Sequence, residues 1–273
     1  MKKFEGILFC TDLDGTLFRN DKTVSKENLE AIEYFKAEGG LFTFVTGRVP
    51  KTTVSICELI KPNAPFGCIN GGGVYDSRTD EYLWNTYLPR EALELVRAVD
   101  EELPEIGIQL NTKEEVIFSK DNAAMELFRR ATGMPNIYRH YDEVAEPILK
   151  VVFGHVEVPM VEALERFLTS HPKADNFDFI RSEKKLYEIL PKGVSKGTLL
   201  LKLSELTNID ARRTIAIGDY YNDISMIRAA GLGVAVENAV EDAKAVADYI
   251  SVSNENHAIA SVIDGLDRGL LKI

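Results

Sequence analysis

The chain has 273 residues and an ordinary globular composition, which is enough for a large core that carries a second, smaller domain. A net charge of −11 disfavours binding to nucleic acid or anionic lipid and favours a small-molecule partner. Three cysteines without CxxC spacing argue against a disulfide framework or a zinc site and indicate a reducing, cytoplasmic compartment. No stretch is long and uncharged enough to predict a membrane span.

The first part of the chain alternates between strand and helix patterns. A short apolar run at residues 7–11 ends in two carboxylates, as is typical of a strand buried on both faces of a parallel sheet. Ser25 is an expected N-cap for the helix that follows, and further apolar runs cover residues 41–45 and 66–69. This β-α-β-α-β order predicts parallel strands joined by right-handed crossovers.

The alternation of strand and helix patterns stops in the middle of the chain and resumes after Pro191. Pairs of short strands, 106–110 with 116–119 and 177–181 with 186–190, indicate hairpins and hence an antiparallel sheet. We therefore predict an α/β fold with a Rossmann-like, doubly wound parallel-sheet core formed by residues 1–84 and 191–273. An α+β domain at residues 85–190 is inserted into it.

Polar side chains follow directly after several of the predicted core strands. Asp12, Asp14, Thr46 and Asp219 each occupy such a position. Ligands of open parallel sheets bind beyond the carboxyl ends of the strands, because loops and helix N-termini converge there. The sequence therefore predicts that three distant segments meet in one site.

The carboxylates of Asp12 and Asp14 stand at positions i and i+2, so an extended backbone projects both to the same side. Two unit charges about 4 Å apart repel by roughly 4 kcal/mol at an effective dielectric near 20. Such a pair requires a cation or a shared proton, and Mg²⁺ suits oxygen ligands of this kind. Asp219 supplies a further carboxylate for the metal.

This arrangement predicts phosphoryl chemistry. Ionised Asp12 can attack phosphorus without a separate base and form an acyl phosphate that water then cleaves. We expect neighbouring negative charge to raise the pKa of Asp14, which would then protonate the leaving alkoxide as a general acid. The groups expected to offset phosphate charge or to orient the site are Thr46, Gly47, Lys196, Asn222 and Asp223.

Four segments resemble, in order and spacing, the motifs of haloacid dehalogenase-like phosphatases of the Cof type. They are Asp12-Leu13-Asp14-Gly15-Thr16, Thr46-Gly47-Arg48, Gly193-Val194-Ser195-Lys196-Gly197 and Gly218-Asp219-Tyr220-Tyr221-Asn222-Asp223. The resemblance implies that Asp12 is the nucleophile, that Asp14 is the acid/base and that residues 85–190 form a C2-type cap. It also implies that Mg²⁺ is held by the Asp12 carboxylate, the Asp14 backbone carbonyl and the Asp219 carboxylate.

Three other functions are compatible with parts of the sequence. Residues 193–197 fit the G-x-S-x-G nucleophile elbow of a serine hydrolase with Ser195 as nucleophile, but that interpretation leaves the acidic motifs unexplained. A phosphotransferase or mutase could use the same scaffold and pass the phosphoryl group to a sugar hydroxyl. A non-catalytic sensor would bind a phosphorylated metabolite without turnover.

The sequence thus predicts a Mg²⁺-dependent phosphatase of a small phosphorylated metabolite, with Asp12 as the phosphorylated residue. From the resemblance, a sugar phosphate is the first expectation for the substrate, and the inserted domain is expected to select it. No partner among nucleic acids or membranes is expected. The sequence carries no signal for the oligomeric state, and a monomer is compatible with it.

Overall fold

The structure is a computed structural model and describes residues 2–273. The described chain divides into two compact units. Unit 1 contains the residues up to Trp84 together with Ser195–Ile273, and unit 2 is Asn85–Val194. Among residues 2–273, no helix is both long and apolar enough to cross a membrane.

The strands and helices alternate in unit 1 and are mixed with hairpins in unit 2. The strands are β1 (Leu8–Thr11), β2 (Leu41–Phe44), β3 (Phe66–Cys68), β4 (Gly73–Asp76), β5 (Glu81–Asn85), β6 (Gly107–Asn111), β7 (Val116–Lys120), β8 (Lys150–Gly154), β9 (Phe177–Glu183), β10 (Leu186–Pro191), β11 (Thr214–Gly218), β12 (Leu232–Ala235) and β13 (Tyr249–Ile250). The α-helices are α1 (Lys26–Ala37), α2 (Val54–Ile60), α3 (Ala92–Glu102), α4 (Ala123–Thr132), α5 (Val158–Thr169), α6 (Lys196–Thr207), α7 (Ile224–Ala229), α8 (Glu241–Lys244) and α9 (Ala258–Asp267).

A five-stranded parallel sheet forms the centre of unit 1, in the order β13-β12-β11-β1-β2. Both faces of β1 are covered. Leu8 and Cys10 belong to an apolar cluster that includes residues of α6, while Phe9 packs edge-on against Phe35 of α1, with ring centroids 5.8 Å apart. Ser25 caps α1, as predicted, by accepting a hydrogen bond from the backbone N–H of Asn28. The predicted α/β fold with a parallel core sheet is confirmed.

The third apolar run differs from the prediction. It was expected to add a strand to the parallel core sheet, but β3 pairs antiparallel with β4 in a separate sheet of order β3-β4-β5. Only a single parallel bridge, between Val45 and Gly67, connects it to the end of β2. The chain turns back after Cys68 through a short 3₁₀ segment that contains Asn70 at φ 50°. This tight reversal replaces the crossover helix that a further parallel strand would need.

Unit 2 contains an antiparallel sheet in the order β7-β6-β8-β10-β9. The two predicted hairpins are present as β6 with β7 and β9 with β10. Between them lies β8, a strand that the sequence analysis did not assign. Apolar side chains of α3 and α5 pack with one face of the sheet to form the core of this unit.

Candidate active site

Asp12 lies immediately after β1, at the carboxyl edge of the parallel sheet of unit 1. Its backbone N–H donates to the carbonyl of Ile217 in the neighbouring β11 at 2.9 Å, so the sheet itself fixes its position. The side chain is only 6% exposed. Its Oδ1 accepts a hydrogen bond from Nζ of Lys196 at 2.5 Å. The first acid of the sequence motif therefore meets a lysine that is distant in the chain.

Lys196 is the first residue of α6, and Ser195 caps that helix through a reciprocal pair of hydrogen bonds with Thr198. The cap fixes where α6 starts and therefore where the lysine enters the site. Nζ of Lys196 also donates to Oδ1 of Asp223 at 2.5 Å. Burial lowers the pKa of Lys196, but the charges of Asp12 and Asp223 outweigh burial and raise it, so the ammonium stays charged.

Asp223 connects the lysine to the backbone after β11. While its Oδ1 accepts from Lys196, its Oδ2 accepts from the backbone N–H of Asp219 at 2.9 Å and of Tyr220 at 3.0 Å. Gly218 makes this close approach possible, because a Cβ there would lie 2.4 Å from Cβ of Asp223. One buried carboxylate thus orients both the ammonium and the loop that carries the next acid.

Asp12, Asp219 and Asp223 form an acidic cluster in which one oxygen of each lies within 4.8 Å of the others. Burial raises the pKa of Asp12 to about 7, although Lys196 acts in the opposite direction. Burial and then the charge of Asp223 raise the pKa of Asp219 to about 8. Several carboxylates share one ammonium here, so the cluster favours binding of a further cation.

The carboxylate oxygens of this cluster are suitable ligands for Mg²⁺. Oδ1 of Asp12 accepts from Lys196 and Oδ1 of Asp219 accepts from the hydroxyl of Thr16 at 3.0 Å, which leaves the Oδ2 atom of each for a metal. Gly15, at φ 86°, lies directly against Oδ2 of Asp219, since a Cβ on it would be 2.4 Å from that atom. Hard carboxylate oxygens beside a tightly turned backbone are ligands that Mg²⁺ accepts.

The surroundings of Asp14 contradict one expectation. Its Oδ2 and Oδ1 accept from Nε and Nη2 of Arg48, each at 2.8 Å, and Oδ1 also accepts from Nζ of Lys22 at 2.8 Å. Burial raises the pKa of Asp14, but the hydrogen bonds and charges of Arg48 and Lys22 outweigh it and lower the pKa to about 2. The predicted rise in this pKa is therefore wrong, because two cations rather than neighbouring carboxylates contact the side chain.

Thr46 and Gly47 follow β2 in the chain and contact the short segment that contains Asn70. The hydroxyl of Thr46 accepts from the N–H of Arg48 at 3.2 Å, and its carbonyl accepts from the N–H of Asn70 at 3.1 Å. A Cβ on Gly47 would lie 2.8 Å from Nδ2 of Asn70. Nδ2 of Asn222 in turn donates to Oδ1 of Asn70 at 3.0 Å. The motif after β2 and the motif after β11 therefore meet at Asn70.

These contacts bring all the residues selected from the sequence into one region of unit 1. Four further participants were not selected as site residues: Thr16, Lys22, Arg48 and Asn70. Thr16 and Arg48 stand inside quoted motifs, and Asn70 follows an apolar run, so each had a sequence signal. Lys22 had none, because its reach to Asp14 depends on a left-handed turn at φ 65°.

The geometry around Ser195 does not support the serine hydrolase alternative. Its Oγ accepts from the N–H of Thr198 at 3.1 Å, which is the hydrogen bond of a helix N-cap. Its backbone is extended, with φ −160° and ψ 168°, and lacks the strained turn of a nucleophile elbow. His257 follows Ser195 in the chain and could be considered as its base, and its Nδ1 lies 3.4 Å from Oε2 of Glu27.

Comparison with known proteins identifies the family. Residues 9–263 match the model of the haloacid dehalogenase-like hydrolases. The chain is 26% identical over 257 residues to YitU of Bacillus subtilis, a 5-amino-6-(5-phospho-D-ribitylamino)uracil phosphatase, with 93% of this chain and 94% of that protein covered. A crystal structure of a haloacid dehalogenase-like hydrolase from Bacteroides thetaiotaomicron is 25% identical, with a TM-score of 0.80, and the match covers 94% of this chain and 98% of that one.

A second solved structure, the HAD subclass IIB sugar phosphatase BT4131, has the same fold. It is 21% identical, has a TM-score of 0.83, and the match covers 97% of this chain and all of that chain (100%). The chain belongs to the haloacid dehalogenase-like hydrolases. This membership confirms the family and the enzyme class, a phosphatase of this family, that were predicted from the motifs.

Proposed function

We propose that the chain is a Mg²⁺-dependent phosphatase that hydrolyses a small phosphorylated metabolite through a phosphoaspartyl intermediate on Asp12. The observation that carries this proposal is the position of Lys196, whose ammonium bridges Asp12 and Asp223 beside Asp219 at the carboxyl edge of a parallel sheet. A nucleophilic carboxylate, a fixed positive charge and a set of metal-binding oxygens are the groups that phosphoryl transfer needs.

Asp12 and Asp219 would hold Mg²⁺ through their carboxylates, and Asp14 through its backbone carbonyl. When bound, the metal would neutralise part of the charge on the phosphoryl oxygens. The protein would offset the remaining negative charge. Lys196 keeps its charge and lies 2.5 Å from the attacking carboxylate, so its ammonium can stabilise negative charge that develops next to Asp12.

Thr46, Gly47 and Asn222 are assigned to the phosphate. Their support is positional. Gly47 lies against Asn70, to which Asn222 donates, and Thr46 lies just beyond β2, the sheet neighbour of β1, with only Val45 between them. Hydroxyl, backbone N–H and amide N–H groups are neutral donors that can orient phosphoryl oxygens. Asp223 acts indirectly, because it holds Lys196 and the backbone of Asp219 in place.

Asp14 is assigned the proton transfers. Its ionised form, held by Arg48 and Lys22, suits the second step, in which it accepts a proton from the water that cleaves the acyl phosphate. In the first step the same carboxyl must carry a proton for the leaving alkoxide. The two cations must therefore loosen their contacts with Asp14 before that step, which makes them part of the proposed catalytic cycle.

The substrate class is proposed from the relatives and from the charge of the chain. YitU acts, by its name, on a phosphorylated ribityl compound, and BT4131 is named as a sugar phosphatase. We assign a sugar or sugar-alcohol phosphate to this chain, in the cytoplasm, and we assign the selection of that substrate to unit 2 as a cap domain. A net charge of −11 agrees with a small substrate rather than nucleic acid.

A screen of phosphorylated metabolites with purified protein tests the proposal. We expect release of inorganic phosphate in Mg²⁺, no release in excess EDTA, and transient labelling of the wild-type protein by ³²P-substrate that Asp12→Asn does not show. Labelled phosphate recovered on an added sugar rather than in water would instead identify a phosphotransferase. Turnover that persists in Asp12→Asn would remove the nucleophile from the proposal.

A further inference from the structure

The turn between β12 and α8, residues 236–240, contacts both segments of unit 1 that carry the proposed metal ligands. The backbone N–H of Val240 donates to the carbonyl of Asp219 at 2.9 Å. Nδ2 of Asn238 donates to the carbonyl of Gly15 at 2.8 Å. This turn, to which no metal ligand is assigned, therefore connects the loop after β1 with the loop after β11.

The side-chain amide of Asn238 has a fixed orientation. Its Oδ1 accepts from the backbone N–H of Asn254 at 2.9 Å, while its Nδ2 donates to Gly15. A backbone N–H only donates and a carbonyl only accepts, so the two ends of the amide cannot be exchanged. Asn254 is itself 3% exposed, and its Nδ2 donates to the carbonyl of Phe18 at 3.0 Å. Asn238 is exposed at the surface, but it is held by a buried residue that contacts the same loop after β1.

The residue that Asn238 holds is the one at which the loop after β1 has the greatest backbone freedom. Gly15 has a left-handed φ of 86°, and glycine is less restricted than any other residue. The two torsions of Gly15 separate its own carbonyl from the carbonyl of Asp14, which is a proposed metal ligand. A hydrogen bond to the Gly15 carbonyl therefore restricts the direction of the Asp14 carbonyl. It also keeps Gly15 against Oδ2 of Asp219, which a Cβ on Gly15 would approach to 2.4 Å.

We propose that Asn238 is a positioning residue for the Mg²⁺ site. By holding the carbonyl of Gly15, Asn238 aligns the carbonyl of Asp14 with the carboxylate of Asp219 and so increases the affinity for the metal. Partners that orient metal ligands typically change metal affinity by roughly 10- to 100-fold when they are replaced. The inference rests on the proposed function and adds to it a residue that contacts neither the metal nor the substrate.

The chain offers a matched control in Asn63. Like Asn238, Asn63 accepts from a backbone N–H, that of Phe42 at 2.7 Å, and donates to a backbone carbonyl, that of Gly40 at 3.0 Å. These contacts lie at the start of β2, whereas the proposed metal site lies at the carboxyl edge of the sheet. Asn63→Ala therefore removes the same kinds of hydrogen bond away from the metal site.

The test measures the melting temperature of the whole, substrate-free chain as a function of Mg²⁺ concentration, which gives the dissociation constant of the metal. Asn238→Ala should bind Mg²⁺ about tenfold more weakly than the wild type, and Asn63→Ala should bind it as the wild type does. Asn238→Asp keeps the acceptor for Asn254 but loses the donor to Gly15, so it should also bind Mg²⁺ more weakly. Charge alone would have the opposite effect, because an added carboxylate attracts the cation.

Steady-state kinetics with p-nitrophenyl phosphate provide a second readout. Asn238→Ala should require about tenfold more Mg²⁺ for half its maximal rate. Its kcat at saturating Mg²⁺ should remain within about twofold of the wild type, because the ligands and the nucleophile are unchanged.

Three results would overturn the inference. In the first, Asn238→Ala melts at a lower temperature but keeps the wild-type dissociation constant for Mg²⁺, as is expected of a purely structural residue such as Asn63. In the second, Asn238→Asp binds Mg²⁺ as tightly as the wild type or more tightly, so that the donor to Gly15 is not needed. In the third, the melting temperature of the wild type does not respond to Mg²⁺, and this result alone would also remove the metal site from the proposed function.

Discussion

Two buried lysines in the molecule show how differently a fold can use the same side chain. Lys196 in unit 1 donates to two carboxylates at a sheet edge, where three acids compete for one ammonium. Lys150 in unit 2 donates to the carboxylate of Glu188 on a face of an antiparallel sheet. The first arrangement leaves an excess of negative charge that favours a cation, whereas the second joins one cation to one anion.

The largest effect is expected from Asp12→Asn. Asparagine keeps the size of the side chain but is not a nucleophile, so kcat should fall at least about 10³-fold on every ester. Steady-state kinetics in saturating Mg²⁺ measure the loss. Circular dichroism that matches the wild type would show that the fold is intact. A loss below tenfold would mean that another group attacks phosphorus.

The second largest effect on activity is expected from removal of the metal. With EDTA, activity should fall to background, and addition of Mg²⁺ to the stripped protein should raise its melting temperature because the metal relieves repulsion within the acidic cluster. Differential scanning fluorimetry with Mg²⁺, Ca²⁺ and Na⁺ checks this. Equal stabilisation by Na⁺ at the same ionic strength would argue against a specific divalent site.

The same measurement has a defined pH dependence. The folded pKa values of Asp12, about 7, and Asp219, about 8, lie above the unfolded value near 4. The folded protein therefore binds protons more tightly, so without metal its stability should decrease as pH rises from about 4 through 8. The stabilisation by Mg²⁺ should consequently be larger at pH 8.5 than at pH 6. A larger effect at pH 6 would contradict the assignment.

Lys196→Met and Lys150→Met form a matched pair. Each leaves buried carboxylate charge uncompensated, and breaking a buried ion pair costs about 3–5 kcal/mol of stability. Chemical unfolding monitored separately for the two units measures this cost. Only Lys196→Met should in addition lower kcat for p-nitrophenyl phosphate by more than about 100-fold, because its ammonium lies beside the nucleophile. Equal losses of kcat in both variants would remove the distinction between the two lysines.

The smallest effects concern the cations around Asp14. Arg48 makes a bidentate contact and is only partly exposed, whereas Lys22 is well exposed. Arg48→Gln should therefore lower kcat about tenfold, and Lys22→Gln less than about threefold, as is usual for exposed ion pairs. Esters with good leaving groups should show the larger losses, because their rate is limited by the second step, in which ionised Asp14 accepts a proton from water. A Lys22→Gln effect that exceeds that of Arg48→Gln would reverse this order.

Sequence reasoning located the acids of unit 1 because their positions follow from strand ends. Asp12 and Asp219 come directly after apolar runs, and adjacent parallel strands must bring such residues together. The state of Asp14 could not be predicted in this way. Its pKa depends on Lys22, which reaches it through a left-handed turn, and on the rotamer of Arg48, and neither leaves a pattern in the sequence.

Two features of the fold were missed for a related reason. The run at residues 66–69 has the composition of a core strand, but the reversal at Asn70 diverts it into another sheet. The central strand of unit 2, β8, begins with Lys150. A buried lysine is unexpected from the sequence, and the structure explains it by the ion pair with Glu188. A local reversal of the backbone decided the first outcome and a contact between distant residues the second, and hydrophobic composition and periodicity report neither.

Asp223 has a consequence for attempts to re-engineer the enzyme. One oxygen of its carboxylate accepts from Nζ of Lys196, and the other accepts from the backbone N–H groups of Asp219 and Tyr220. The position of the lysine and that of the loop therefore depend on the same carboxylate. A substitution there would shift the ammonium and the loop after β11 together. Libraries intended to alter substrate preference should therefore keep residue 223 fixed.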